Sequence, residues 1–119
     1  MTVQRIQSMR EFCIQNRQLI EDDAIFSLTL SSKDIDGGLN FEEEINYYRI
    51  GNQCWQCEHV IEKTVQPAFG STITSQREKS IHELTDDIML RVLNEYPEAL
   101  KSFEAYEQAL VAKGYCVQA

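Results

Sequence analysis

"NFEEEINYYRIGNQCWQCEHVIEK", residues 40–63, decides the fold. Two runs of alternating residues flank a Gly-Asn pair, which is a β-hairpin signature. From Leu39 to Ile50, Phe41, Ile45, Tyr47 and Arg49 share one parity, with Glu43 as the misfit among them. Glu42, Glu44, Asn46 and Tyr48 share the other. From Gln53 to Val65, Trp55, Cys57, His59, Ile61 and Val65 alternate with Cys54, Gln56, Glu58, Val60, Glu62 and Thr64. A two-residue Gly51-Asn52 loop would set Tyr47 against Gln56 and Ile45 against Glu58, mixing polar and apolar on both faces. A three- or five-residue loop instead pairs Tyr47 with Cys57 and Ile45 with His59. It gathers Phe41, Ile45, Tyr47, Trp55, Cys57, His59 and Ile61 on one side. A slip of one residue would turn that set outward, so the odd loop is the predicted register. Glu42, Glu44, Glu58 and Glu62 then line the opposite face with Tyr48.

The flanking sequence supplies the rest of the domain. Ser8 and Glu11 have capping-box spacing, and Met9, Phe12, Cys13, Leu19 and Ile20 recur at helical intervals. They predict a first helix from about Met9 to Glu21, extendable back to Val3. In "AIFSLTLS", residues 24–31, Phe26, Leu28 and Leu30 point one way, as in a strand with one apolar face. "DIDGG" follows as a turn. Residues 66–79 lack firm periodicity, although "STITS" could form a short extra strand. Ser80 and Glu83 repeat the capping-box spacing ahead of Ile81, Leu84, Ile88, Met89 and Val92, which predict a second helix. Pro97 and Gly114 bracket a third. The order α-β-β-β-α-α predicts a single α+β domain over residues 1–119. Its small antiparallel sheet has three to four strands, with the N-terminal helix and two C-terminal helices on one face.

The chain has 119 residues, 43% hydrophobic and 25% charged, enough for one core without staples. Its apolar runs are too short to span a bilayer. The start "MTVQRIQSMREF" lacks the apolar core of a secretory signal, so the protein reads as cytoplasmic and bacterial in style. The four cysteines therefore read as free thiols. The net charge of −8 argues against nucleic acid and anionic membrane and favours a basic protein partner. The imbalance is local: residues 21–62 carry ten acids against Lys33 and Arg49.

Cys54-x-x-Cys57, with His59 nearby, is the sharpest chemical motif. A zinc site needs four ligands in tetrahedral array, and a redox pair needs its first thiolate at a helix N-terminus. Residues three apart on a strand project to opposite faces, so packed thiols are expected, with no metal or cofactor. His59 is expected to be a buried histidine on the helix-covered face, hydrogen-bonded by Tyr or Glu. Asp34-x-Asp36-Gly37-Gly38 fails the EF-hand spacing: Leu39 stands at the glycine position and Ile45 at the bidentate acid.

The expectation is a non-enzymatic protein-binding module. Glu42, Glu44, Glu58 and Glu62 would steer a basic partner, with Tyr48 and Trp55 as aromatic anchors. In size, acidity and element order the chain resembles small bacterial immunity proteins, which bind and block a toxin. That resemblance implies an inhibitor of a cationic toxin such as a nuclease; the sequence leaves the oligomeric state open, with a monomer favoured. A weaker resemblance to acidic type III secretion chaperones implies a homodimer. A zinc- or thiol-dependent enzyme using Cys54, Cys57 and His59 is the third alternative.

Overall fold

The computed structural model describes residues 2–17, 24–35, 40–51, 53–65 and 74–115. Helix α1 (Val3–Gln15) leads into strands β1 (Phe26–Ile35), β2 (Asn40–Gly51), β3 (Cys54–Val65) and β4 (Thr74–Leu84). Helices α2 (Asp86–Glu95) and α3 (Pro97–Ala112) follow. The strands form one open antiparallel sheet in the order β1-β2-β3-β4. This is the expected α+β fold of an N-terminal helix, a small antiparallel sheet and two C-terminal helices. Residues 18–23, 36–39 and 66–73, which include the end of the expected first helix, the Asp-Gly-Gly turn and the first half of "STITS", lie outside the described residues.

Two boundaries differ from expectation. The Ser80–Glu83 spacing does not start a helix: β4 runs through both and ends at Leu84. Thr85 is the actual N-cap of α2, its hydroxyl accepting the Ile88 N–H at 3.3 Å, with Asp86 and Asp87 in the first turn where the helix dipole favours anions. Helix α1 starts at Val3 and is capped by Thr2, not Ser8. Helix α3 begins at Pro97 and ends just before Gly114, whose φ of 93° belongs to the left-handed region.

The hairpin register is the main correction. Ile50 faces Trp55 and Gly51 faces Cys54, and Gln53, just before β3, has φ 66°. Tyr47 opposes Glu58, Ile45 opposes Val60, and Tyr48 opposes Cys57. The register is neither that of a Gly51-Asn52 loop nor the expected one that pairs Tyr47 with Cys57. Even positions of β2 therefore share a face with odd positions of β3.

The inner face packs on the helices at the hairpin end of the sheet. Phe26, Leu28, Tyr48, Trp55 and Cys57 join Ile6, Met9 and Cys13 of α1, Met89 and Leu93 of α2, and Ala99, Phe103 and Leu110 of α3. Phe26 stacks on Tyr48 with centroids 4.7 Å apart, and Phe103 meets both Phe26 and Trp55. Ion pairs tie the helices together: Arg10 donates two 3.0 Å bonds to Asp86, and Arg5 pairs with Glu107 and Glu104. Those carboxylates hold both guanidinium groups above their ordinary pKa.

The sheet outruns this cover. A twelve-residue strand spans about 40 Å. In residues 31–35, 40–45, 61–65 and 74–80, none is buried. The radius of gyration is 17.2 Å, against about 13.5 Å for a compact chain of this length.

Candidate interaction face

The predicted acidic face does not exist as one surface. Glu42 and Glu44 are even positions of β2 and lie on the inner face beyond the helices. Glu58 and Glu62 are even positions of β3 and lie on the outer face. Three of the four have partners. Lys33 reaches Glu42 at 3.3 Å. His59 Nε2 and the Ser31 hydroxyl meet Glu44 at 2.6 and 3.2 Å. Glu58 lies between Arg49 at 3.4 Å and Lys79 at 3.7 Å. Neither aromatic anchor is available, because Tyr48 is 3% exposed and Trp55 fully buried. The error has one cause. Phe41, Ile45 and Tyr47 outnumber Tyr48 and Ile50 in β2, so a parity count puts the wrong set inside.

The outer face is what the sheet leaves without helices. Across the strands it reads Asp34–Phe41–Thr64–Ser75, then Ser32–Glu43–Glu62–Arg77, Thr29–Ile45–Val60–Lys79 and Ser27–Tyr47–Glu58–Ile81. Phe41 is 38% and Ile81 57% exposed, with Ile45 and Tyr47 half-buried between them. Val60 and Glu58 are buried on this face, shielded by their own neighbours on the sheet. An apolar stripe thus crosses the face diagonally from Phe41 to Ile81.

Glu43 and Glu62 face each other directly across β2 and β3, beside Phe41 and Ile45. Like charges placed so oppose strand pairing. Arg77 stands across from Glu62 on β4, whereas Ser32 is the residue across from Glu43 on β1. Glu43 was the misfit in its parity set, and that mismatch was the sequence signal for this position.

The thiol motif behaves as strand geometry requires. Cys54 points outward and Cys57 inward, where it is buried. Burial pushes the Cys57 and Cys54 thiols up, and Cys13 to about 11, the opposite of an activated nucleophile. No group of three or more His, Cys, Asp or Glu side chains able to hold a metal occurs among the described residues. His59 sits on the inner face beyond the helices; it bonds to Glu44 as expected but is half-buried rather than buried. An open groove of about 670 Å³ runs beside β1, lined by Ser27, Leu28, Thr29, Leu30, Tyr96 and Glu98. It contains no nucleophile and base in contact. Among the described residues, no helix is long and apolar enough to cross a membrane.

Compared with protein-family models, curated proteins and solved structures, the chain matches none of them.

Proposed function

We propose that this chain is a non-enzymatic protein-binding module that meets a basic protein through the outer face of its sheet. The observation that carries the reading is the opposed pair Glu43–Glu62, set between the solvent-exposed Phe41 and the half-buried Ile45. A like-charge pair held beside exposed apolar surface is a local conflict that a partner's Lys or Arg would resolve. The outer face holds Asp34, Glu43, Glu58, Glu62 and Glu83 against Arg49, Arg77 and Lys79, so it is acidic in balance, as is the whole chain at −8. Such a surface draws in a cationic protein and then buries its rings and aliphatic chains. An immunity protein that masks the basic surface of a toxin, such as a nuclease, is the biological setting that fits this chemistry. Phe41, Glu43, Ile45 and Glu62 replace the anchors expected from the sequence.

The test is titration of the chain with the product of the gene immediately upstream of its own, if that product is a basic protein, or otherwise with a basic protein that co-purifies with it at stoichiometric ratio, comparing wild type with Glu43→Lys. Support would be a saturable complex that suppresses the partner's activity, associates more slowly as salt rises, and weakens at least tenfold in the variant. Absence of a complex ends the reading, and so does association that salt and Glu43→Lys leave unchanged.

A further inference from the structure

We infer that β4 is a self-pairing edge, through which two copies of the chain join antiparallel about a two-fold axis at Ser80 into one eight-stranded sheet. The two edges of the sheet are treated differently. Strand β1 has a register shift between Thr29 and Ser31 and carries α3 against it. Bulges and helix cover are two ways of blocking an edge. Strand β4 pairs with β3 without a shift, and every residue from Thr74 to Glu83 is exposed. Among the described residues, its outer row of backbone groups has no strand beside it.

The charges on β4 decide what that edge accepts. Charged side chains usually protect an edge against foreign strands. Against a second copy, their effect depends on register. A two-fold axis normal to the sheet keeps inner face with inner face, so only residues of equal parity oppose and the axis passes through a residue. An axis at Arg77, Glu78 or Lys79 sets that charge against itself, and an axis at Glu78 also sets Arg77 against Lys79. An axis at Ser80 sets Arg77 against Glu83 of the second copy, Glu78 against His82 and Lys79 against Ile81, pairing residues 76–84 throughout. Moving the axis to Ile81 sets Lys79 against Glu83 instead, but it shortens the overlap to residues 78–84 and leaves Arg77 and Glu78 without a charged partner. Opposite charges directly across a strand pair stabilise it and like charges oppose it. The pattern therefore disfavours axes at Arg77, Glu78 and Lys79, and the Ser80 register combines opposite-charge pairs with a longer overlap than the Ile81 register. The two outer faces become continuous, and Ile81 packs beside the aliphatic stem of Lys79 from the second copy.

A strand edge is a small interface, so the dimer should be weak and reversible, with Kd on the order of 10 µM. Sedimentation of the full chain over a concentration series, under reducing conditions and with no other protein present, reads it directly. Wild type should convert from monomer to dimer. Glu83→Arg, a fully surface change, should raise Kd at least tenfold, because two like-charge pairs form across the axis. Arg77→Glu combined with Glu83→Arg should restore dimerisation by reversing both pairs. Ser80→Cys should give a disulfide-linked dimer on mild oxidation. A chain monomeric up to about 1 mM overturns the inference. So does a Glu83→Arg protein that dimerises like wild type, or a folded double variant that stays monomeric. Because no partner is present, these results are independent of the basic-partner reading.

Discussion

At the hairpin end of the sheet, Phe26, Tyr48, Trp55 and Cys57 lie under three helices and have almost no contact with solvent. At the far end, residues 31–35, 40–45, 61–65 and 74–80 belong to the same strands, and none is buried. The backbone ladder is continuous through both. The difference is therefore in side-chain burial, which supplies most of the stability of a domain. The covered end holds the fold. The far end is held by the ladder and by cross-strand pairs such as Lys33–Glu42 and His59–Glu44, each worth roughly 0.2–1 kcal/mol. A long sheet with one anchored end keeps a broad surface available without risking its core.

The largest effect that would test this division is at Trp55. It is fully buried and packs against Phe103 with centroids 6.3 Å apart. Truncating a buried aromatic side chain loses transfer energy and leaves a cavity. Trp55→Ala should cost about 3–5 kcal/mol in urea unfolding. A loss below about 1 kcal/mol would mean that the hairpin end is not the anchor.

The second effect is alkaline destabilisation at the same end. Cys13 is 6% exposed, and burial pushes its thiol up to about 11. A raised folded-state pKa favours the native state fully at lower pH, where the thiol is neutral in both states. As pH rises past the unfolded value near 9, the unfolded thiol ionises first and stability falls until the folded thiol also ionises near 11. The expected loss is about 2–3 kcal/mol between those limits. Denaturant midpoints from pH 8 to 11 measure it, and Cys13→Ala should flatten the slope. An unchanged slope in that variant would place the titrating group elsewhere.

The same division explains what the sequence made legible. Helical periodicity found all three helices, although it began α2 inside β4, and Pro97 and Gly114 bracketed α3, because each helix has a single buried stripe. The strands were legible as strands but not as faces. A parity count assumes one buried side along the whole strand. In β2 that holds near Tyr48 and Ile50, under the helices, and fails from Phe41 to Tyr47, where no helix lies on the sheet. The majority of apolar residues therefore belonged to the open side, and the hairpin register followed them in error. Edge strand β4 was hidden for a related reason. With neither face buried, "TSQREKSIHE" has no hydrophobic alternation to announce a strand, while Ser80 and Glu83 imitate a helix start. Glu43 alone carried a usable signal, as a carboxylate among apolar neighbours.

Phe41→Ala is the smallest expected change in stability and the sharpest test of what the open side is for. Phe41 is 38% exposed and lies at the end of the sheet away from the helices, so its removal opens no core cavity. Unfolding free energy should change by no more than about 0.5 kcal/mol, as for other surface positions. Exposed aromatics in a protein interface behave differently, because their burial is completed only by the partner. Affinity for the basic partner should therefore fall by about 2 kcal/mol, roughly thirtyfold, with most of the change in dissociation rate. Trp55→Ala should show the converse, a large stability loss with near-normal affinity in the fraction that remains folded. If Phe41→Ala costs stability and not affinity, the far end is structural surface, and the division between anchored and presenting halves of the sheet fails.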